Sequence, residues 1–339
     1  MNRSGAARTQ EGLKHRSLCV LCVSVVKSDI VAVIDLGSNS IKSLVATREA
    51  TGEIKALQTG TLDVRISAGI GRAQPRLTEE GMQGGLAAVR QLLERMAPLA
   101  PQRIALVATS AVRDAANGTE FRARVYAATG HELRILTGAE EAELIGRGLL
   151  VDPALAGRQD FQVFDLGGGS LECLGFRARR LEQTVSLPLG CVRLTERCVS
   201  DSAAPFSDTS RRQVLEICRE GLVKSGFRFG PAGTTAVFAG GSITTTRAIF
   251  AERLARPLAE SSPLITAAAL RGLLDDIARL PLAERRKIPG LPAARADVFP
   301  TALATMLAVA EIGGITAFHH SFYNLRYGLA AELLASAPP

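Results

Sequence analysis

The sequence predicts an α/β fold of two related lobes with duplicated β-sheets. The chain has 339 residues, of which 47% are apolar, enough to form two hydrophobic cores. Only 4% are aromatic and tryptophan is absent, so Ala, Leu, Val and Ile must fill the cores, as is usual in α/β layers. The hexapeptide DLGSNS at 35–40 returns as DLGGGS at 165–170, each time after an apolar run. This repetition predicts two copies of one architecture.

The first half contains the elements of one lobe. Residues 30–36 predict a buried strand that continues through a Gly-Ser-Asn-Ser turn into a second strand at 41–47, forming a hairpin. Thr78 is a candidate N-cap for a helix over 79–97, which carries an apolar stripe. The pattern then predicts a strand at 103–108, a helix after TSAVRDAANG, a strand at 133–136 and a helix beginning GAEEAELIG.

The second half repeats this order. Three strands are predicted, FQVFDL, LECLGF and LEQTVSL, with the Gly-Gly-Gly-Ser turn between the first two. Further predicted elements are a helix at 208–226, a strand at 235–240 followed by a Gly-Gly-Ser turn and a helix, mostly helical residues over 265–313, a strand at 316–319 and a helix at 325–335. No low-complexity linker separates the halves. By position we expect the lobes to be 30–145 and 146–339, with the last helix packing back on the first lobe.

The charge balance indicates an anionic ligand. The net charge is +7 and the isoelectric point is near 9.4. The arginines do not form runs interleaved with aromatic residues and no nucleic-acid-binding motif is present, so we do not expect a nucleic-acid partner. A small or polymeric phosphate anion is the expected partner.

The cysteines and the N-terminal residues indicate the cellular compartment of the protein. Only one C-x-x-C pair exists among the six cysteines, so we expect reduced thiols in a cytoplasmic protein. The apolar run at 17–26 follows Lys14, His15 and Arg16 like a signal peptide, but no A-x-A site follows it and it is too short to cross a bilayer. We expect residues 1–29 to be a disordered leader and the protein to have no membrane contact.

The doubled turn predicts a phosphate cradle. Glycines and small residues after a strand let several N–H groups point into one concavity. From the first copy these residues are Gly37, Ser38, Asn39 and Ser40, and from the second they are Gly167, Gly168, Gly169 and Ser170. Asp35 and Asp165 end the preceding strands, and a carboxylate meets phosphate favourably only through a divalent cation or an ordered water, which suggests Mg²⁺. A single Asp-x-Gly turn is often no more than an Asx-type turn, but two copies favour a cleft that holds a phosphate chain from both sides.

This doubled strand-turn-strand pattern resembles the actin, sugar-kinase and heat-shock-chaperone superfamily, a ribonuclease H-like fold whose members bind nucleotide phosphates between two lobes. Five segments narrow the resemblance. They are TSAVRDAAN at 109–117, ILTGAEEAELI at 135–145, DLGGGSLE at 165–172, SLPLGCVRLTE at 186–196 and AGGSITT at 239–245. Together, over about residues 30–335, they resemble the Ppx/GppA phosphatase family of exopolyphosphatases and guanosine pentaphosphate (pppGpp) phosphohydrolases.

The resemblance implies hydrolysis of a terminal phosphate, with Mg²⁺ and a glutamate that activates water. Glu141 matches the general base of the family, although Glu140 and Glu141 are also the acids expected in a first helical turn. Arg113 matches the family arginine and would bind phosphate oxygens; the alternative is an exposed arginine that pairs with Asp114 or another carboxylate.

Two further groups of residues suit this chemistry. Glu172 lies seven residues after Asp165, so a hairpin places both carboxylates on one side as magnesium ligands; otherwise Glu172 is a solvent-facing strand residue. Gly240, Gly241 and Ser242 open a helix whose N-terminus suits an anion, although many such caps bind nothing.

The sequence departs from the family pattern at two loops. Gly-Gly-Ser stands where Gly-Gly-Thr is usual in the third loop, and Asn324-Leu325-Arg326 stands where Gly-Leu-Arg is common. Many members continue into a C-terminal helical domain that helps hold long chains, so we expect a short two-domain form that binds very long polyphosphate less tightly. The expected substrate is inorganic polyphosphate, with pppGpp as the alternative. A homodimer is a further expectation. A kinase of the same superfamily and a non-catalytic phosphate- or alarmone-sensing module remain the rival interpretations.

Overall fold

The computed structural model of the protein describes residues 29–336. Apart from Asp29, the predicted leader at 1–29 lies outside the described residues, as do Cys19 and Cys22. The strands are β1 (Ile30–Leu36), β2 (Ile41–Arg48), β3 (Ile54–Leu62), β4 (Arg103–Ala108), β5 (Leu133–Ile135), β6 (Phe161–Leu166), β7 (Leu171–Arg177), β8 (Arg180–Leu187), β9 (Thr235–Ala239), β10 (Leu264–Thr266) and β11 (Ala317–His320). The helices are α1 (Glu79–Met96), α2 (Ser110–Arg113), α3 (Gly118–Thr129), α4 (Gly138–Leu150), α5 (Cys191–Cys198), α6 (Asp208–Lys224), α7 (Gly241–Arg253), α8 (Ala267–Ala278), α9 (Leu282–Arg285), α10 (Phe299–Ile312) and α11 (Leu325–Ala335).

The two sheets share one topology. The first has the strand order β3-β2-β1-β4-β5 and the second has the order β10-β11-β9-β6-β7-β8. In each sheet a three-stranded antiparallel meander is followed by strands that run parallel to its first strand. Only β10, paired antiparallel to β11, has no counterpart in the first sheet. The predicted α/β fold with duplicated sheets is therefore confirmed.

The first strand of each sheet is apolar along nearly its whole length and is buried on both faces. In β1, Ala32 and Ile34 face one hydrophobic core while Val31 and Val33 face another, and all four are fully buried. The second of these cores lies between the sheets and also receives Leu144 and other side chains of α4 and α11. One continuous apolar layer therefore joins the two lobes.

Each of the helices α4 and α11 packs on the sheet formed by the other half of the chain. Helix α4 packs on β7 and β8 of the second sheet, while α11 packs on β1 and β2 of the first. The two helices cross at Gly148 and Gly328, where a Cβ added to Gly328 would lie 1.8 Å from the carbonyl oxygen of Leu144. The predicted lobe boundary at residue 145 falls inside α4, and the division of the chain into two lobes there stays a prediction.

Most predicted elements form where the sequence places them. Thr78 caps α1, because its side chain accepts a hydrogen bond of 3.0 Å from the backbone N–H of Gly81. The sequence analysis did not predict β3, α5 or β10, and it assigned most of β10 to the mostly helical residues 265–313. Strand β3 is largely exposed at the sheet edge and rich in polar residues, so it lacks the apolar run that marks β1. The four described cysteines are buried free thiols.

Candidate active site

The two repeated turns face each other. In the first turn the Gly37 N–H donates to the Ser40 carbonyl at 3.2 Å, and in the second the Gly167 N–H donates to the Ser170 carbonyl at 3.0 Å. A Cβ built on Gly168 would lie 2.7 Å from the Cβ of Ser38, so the turns of the two lobes are in direct contact. The repeated hexapeptide therefore forms two facing turns. Each turn directly follows the strand that carries its aspartate, Asp35 or Asp165.

Between the turns lies a cavity of about 80 Å³, which we call the inner cavity. Its volume leaves room for a few water-sized groups. The predicted site residues that line it are Asp35, Gly37, Ser38, Asn39, Ser40, Glu141, Asp165, Gly167, Gly168, Ser170, Glu172, Gly240 and Gly241. Three predicted residues do not line it, namely Arg113, Gly169 and Ser242. Ser242 is buried in the first turn of α7.

The carboxylates reach the inner cavity through strand register. Asp165 of β6 is paired directly with Glu172 of β7, and residues opposite each other in an antiparallel ladder point to the same face. The spacing of seven residues across the turn thus places the carboxylates of Asp165 and Glu172 on one side of the hairpin, as the sequence predicts. In the first sheet the same register pairs Asp35 with Lys42, so a lysine occupies the position that Glu172 holds in the second.

Burial governs the electrostatics of these acids. Loss of hydration raises the pKa of Asp165 to about 6, with Lys42 opposing the shift, and raises that of Asp35 for the same reason. Burial also raises the pKa of Glu172 well above its usual value, and the neighbouring charges of Glu141 and Asp165 add to the shift. Burial therefore disfavours the ionised forms of these acids, and a cation bound beside them would favour ionisation.

Glu141 lies on this cavity, and its neighbour Glu140 does not. Glu140 completes a capping box with Thr137 at the start of α4, accepting the Thr137 N–H at 2.8 Å, and pairs with exposed Arg134. Arg134 and the cap lower the pKa of Glu140 to about 2. Glu141 is only 6% exposed, and burial raises its pKa to about 7 against the opposing effect of Arg113. The two consecutive glutamates thus have different roles: Glu140 caps the helix at its surface, and Glu141 faces the cleft.

Arg113 contacts Glu141 from a neighbouring cavity. Its Nη1 donates to Glu141 Oε2 at 2.7 Å and to the Leu136 carbonyl at 3.1 Å, while its Nε donates to Asp114 at 3.3 Å. The cavity that it lines, of about 250 Å³, also includes Gly169. The pairing with Asp114 foreseen as an alternative is present, and direct phosphate binding by Arg113 stays a prediction.

The third predicted turn meets the site at Gly240. This residue has φ of +94°, a left-handed conformation that favours glycine, and a Cβ there would lie 2.4 Å from Asp165 Oδ1. Helix α7 begins directly afterwards at Gly241. A glycine is therefore required here for close approach to the aspartate.

Sequence reasoning missed the cations of the site. Lys42 and Arg295 line the inner cavity, and Arg295 donates from Nη2 to Ser40 Oγ at 3.1 Å. Asn324 lines it as well and caps α11, because its side chain accepts the Arg326 N–H at 3.2 Å. A signal for Lys42 existed, since it follows Asp35 at the spacing that separates Glu172 from Asp165. Arg295 has no such signal, because a distant loop carries it into the cleft.

The acidic residues supply oxygen ligands of the kind that a divalent cation prefers. Asp35 Oδ1 is buried without a hydrogen-bond partner among the described residues, and the pKa of each neighbouring acid on the cavity is raised. Within residues 29–336 no three His, Cys, Asp or Glu side chains are grouped closely enough to hold a metal by themselves. The predicted ligands Asp165, Glu172 and Asp35 therefore do not form a complete ligand set, and a magnesium ion beside them would take most of its ligands from water and substrate oxygens, as magnesium prefers.

Side chains of α5 also form hydrogen bonds that join the two lobes beside the site. Arg193 of α5 donates to the Gly169 carbonyl at 2.8 Å, to the Ile70 carbonyl at 2.9 Å and to Asp114. Glu196, one turn later, accepts N–H groups of the loop that contains Ile70. Helix α5 thereby holds a loop of the first lobe against the turn of the second.

A duplicated sheet with facing glycine turns is the actin-like, two-lobed α/β fold. The family model described as the Ppx/GppA phosphatase family matches residues 44–337. The chain therefore belongs to the Ppx/GppA phosphatase family, whose members hydrolyse phosphoanhydride bonds.

Solved structures of this family share the fold. An exopolyphosphatase from Cytophaga hutchinsonii is 22% identical with a TM-score of 0.79, over 90% of this chain and 98% of that one. An exopolyphosphatase-like protein is 24% identical with a TM-score of 0.79, over 90% and 98%. The Aquifex aeolicus PPX-GPPA enzyme is 24% identical with a TM-score of 0.73, over 90% and 99%. At these identities the likeness shows the fold.

The described helices bear on the membrane prediction as well. Across residues 29–336, none combines the length and the apolar character needed to cross a bilayer.

Proposed function

We propose that this protein releases the terminal phosphate of inorganic polyphosphate by attack of a water molecule that Glu141 deprotonates. The observation that carries the proposal is the placement of the Glu141 carboxylate on the same inner cavity as both glycine turns. A base must lie within reach of the water that attacks the bound phosphoryl group, and a cavity this small suits one terminal group. Membership of the family supports hydrolysis of a phosphoanhydride bond. The small size of the cavity supports cleavage of the terminal bond of the chain.

The turns are suited to hold the phosphoryl oxygens. In each turn the first glycine N–H is used to close the turn on its fourth residue. The N–H groups between them, at Ser38 and Asn39 in one lobe and Gly168 in the other, donate to no described backbone group. The Gly169 N–H is also free of a described backbone acceptor, but Gly169 lies on the neighbouring cavity with Arg113. Amides arranged in this way stabilise negative charge on phosphate without reorganisation during the reaction.

Glu141 is suited to accept a proton near neutral pH. Burial brings its pKa to about 7, and the hydrogen bond from Arg113 fixes the direction of its carboxylate. In this proposal Arg113 orients the base. Mg²⁺ bound by Asp165, Glu172 and Asp35 would neutralise charge on the phosphate oxygens.

A second candidate is hydrolysis of pppGpp at its 5′-phosphate. A larger cavity of about 520 Å³, which we call the outer cavity, adjoins the inner one and is lined by Phe322, Tyr323 and Tyr327 among others. Phe322 is exposed, and the Tyr323 and Tyr327 rings lie 4.1 Å apart. An aromatic wall of this kind suits a nucleoside base.

The test compares two neighbouring glutamates. Phosphate release is measured with Mg²⁺ on tripolyphosphate, long-chain polyphosphate and pppGpp. Glu141→Gln is expected to lower kcat by about 10²- to 10⁴-fold with little change in KM, because it removes the base but keeps the shape. Glu140→Gln is the control, since glutamine can complete the same capping box. Phosphate release by Glu141→Gln at the wild-type rate would overturn the role of the base. Preference for pppGpp over both polyphosphates would favour the second candidate.

A further inference from the structure

The loop that follows β3 supports the first glycine turn at two points. Ser67 Oγ donates to the Ser38 carbonyl at 2.9 Å, and Arg65 Nε donates to Asn39 Oδ1 at 3.0 Å. The first contact holds the backbone of the turn, and the second reaches a side chain. Asn39 is only 5% exposed and lines the inner cavity, whereas Arg65 does not line it. An effect of Arg65 on the reaction must therefore pass through Asn39.

The contact with Arg65 decides how the Asn39 amide is turned. A side-chain amide accepts hydrogen bonds at its oxygen and donates them from its nitrogen, whereas a guanidinium group can only donate. The oxygen of Asn39 must therefore face Arg65. Asn39 Nδ2 is then left buried, without a hydrogen-bond partner among the described residues. A buried N–H group without a partner costs free energy, which an acceptor in the inner cavity would recover.

Asn39 lies between two cavities. It lines the inner cavity and also a cavity of about 250 Å³ that is lined by Arg65 and Asp297. Of the turn residues at 37–40 and 167–170, Asn39 alone lines both. Because its oxygen is bound by Arg65 from the second cavity, its nitrogen is the end of the amide that remains for a phosphoryl group in the inner cavity.

Residues of the second half of the chain hold Arg65 in place. Both terminal nitrogens of Arg65 pair with the Asp297 carboxylate, and Nη2 also donates to the Ala294 carbonyl at 2.8 Å. A carboxylate that accepts two N–H groups fixes the plane of the guanidinium as well as its position. Burial raises the pKa of Asp297, but Arg65 and backbone N–H groups outweigh burial and bring this pKa below its usual value. Asp297 is therefore an ionised partner for Arg65 at neutral pH.

The pair of Arg65 with Asp297 forms only when the two halves of the chain are docked. The two residues are 232 positions apart, and Asp297 comes shortly before α10. Without Asp297 the guanidinium would lose the contact that fixes its plane, and the Asn39 amide could turn to pair its nitrogen elsewhere. The orientation of Asn39 therefore depends on a contact between the halves that lies outside the inner cavity.

We propose that Arg65 is a positioning residue for phosphate release: held by Asp297, it turns the Asn39 amide so that Nδ2 donates to a phosphoryl oxygen in the inner cavity. This inference rests on the proposed function, because it takes that cavity as the place of the terminal phosphate.

The donor acts on the phosphoryl group while the terminal bond breaks. The oxygen of the attacking water bonds to the terminal phosphorus, its proton goes to Glu141, and the bridging oxygen leaves with the electron pair of the broken bond. A donor that already points at the phosphoryl oxygens stabilises their charge without reorganisation. Arg65 contributes to this stabilisation through Asn39 and does not touch the substrate.

The test is a double-mutant cycle on Arg65 and Asn39. Arg65→Met removes the guanidinium but keeps an unbranched side chain, and Asn39→Ala removes the amide. The value of kcat/KM is measured with Mg²⁺ on tripolyphosphate for both single variants and for the double variant. Arg211→Met is the matched control, since Arg211 also pairs with an aspartate, Asp275, and its side chain is 32% exposed against 30% for Arg65.

The two changes should not be additive if Arg65 acts through Asn39. Asn39→Ala is expected to lower kcat/KM by about 10- to 100-fold, as for loss of a hydrogen bond to a charged group. Arg65→Met should lower it by about fivefold to tenfold alone, and by less than about twofold when Asn39 is already alanine. Arg211→Met should match the wild type. An equal effect of Arg65→Met in both backgrounds would overturn the inference, because loosened packing acts with or without the Asn39 amide.

A second measurement separates this inference from the proposed function. Orthophosphate has no anhydride bond, so its binding with Mg²⁺ can be followed by calorimetry without turnover, and the same cycle should again be non-additive. If Arg65→Met does not fold, Arg65→Lys replaces it, because one ammonium group cannot serve Asn39 and both oxygens of Asp297. Absence of phosphate release by the wild type would contradict the proposed function, while the orthophosphate cycle would still decide the role of Arg65. Asn39→Ala without effect in both measurements would also overturn the inference.

Discussion

Arg113 Nη1 donates a hydrogen bond of 2.7 Å to Oε2 of Glu141, and this contact opposes the effect of burial on the carboxyl group. Burial raises the pKa of Glu141 to about 7, while Arg113 lowers it. The base is active when ionised, so activity should rise with pH through this value. The arginine thereby keeps the base usable near neutral pH.

Arg113→Met should therefore move the acid limb of the pH profile of kcat upward by on the order of one pH unit, because an opposite charge has been lost. Activity at pH 7 should fall and recover in part at higher pH. The measurement is kcat on tripolyphosphate across pH. Arg122→Met, an exposed arginine on α3, is the control. An acid limb that stays in place in Arg113→Met would mean that it reports another group.

Asp165→Asn should have opposite effects on the free and the magnesium-bound protein. Asp165 is buried beside Asp35, whose charge raises its pKa further, so removing one negative charge should leave the metal-free protein as stable as the wild type or more stable. The same change removes a proposed magnesium ligand, so the increase in Tm on adding Mg²⁺ should shrink. Thermal unfolding with and without Mg²⁺ checks both effects, with Glu182→Gln at an exposed position as the control. An undiminished Mg²⁺-dependent increase would show that Asp165 is not a ligand.

Glu196→Ala should loosen the contact between the lobes. The Glu196 carboxylate accepts the Gly69 N–H at 2.8 Å and the Gly71 N–H at 2.7 Å, joining α5 to a loop of the first lobe. Hydrogen bonds to a charged group contribute about 1.5–3 kcal/mol, so both amides should exchange at least about tenfold faster in the variant. Hydrogen exchange read at those two glycines gives the result. Glu220→Ala, which breaks an exposed pair with Lys224, should leave their exchange unchanged.

Gly328→Ala should destabilise the protein because the α4 and α11 crossing has no space for a methyl group. The added Cβ would meet the Leu144 carbonyl oxygen at 1.8 Å, so the helices must separate. We expect a loss of about 1–3 kcal/mol or more in the free energy of unfolding, measured with denaturant. Gly272→Ala is the matched control, since this glycine lies in α8 with open space around its Cβ position. That control should gain about 0.5–1 kcal/mol. Equal stabilities of the two variants would contradict the close packing.

The α/β class, the two hairpins and the doubled turns were predictable, because each depends on local patterns. Apolar runs define β1 and β6, small residues define the turns, and the spacing between Asp165 and Glu172 sets their register. The structure separated the roles of Glu140 and Glu141, since the capping box takes the first and leaves the second facing inward. The edge strand β3 was missed because exposure removes the apolar signal on which such a reading depends.

The sequence by itself determined the duplicated plan and the residues that suit phosphate chemistry. Only the tertiary structure decided that Lys42, Arg295 and Arg326 gather where two cavities meet, and that Arg113 holds Glu141 from a neighbouring cavity. The physical reason is the range of the interactions. Turn and strand preferences act over a few residues, whereas the field at the cleft sums charges that chain folding brings together from positions more than two hundred residues apart.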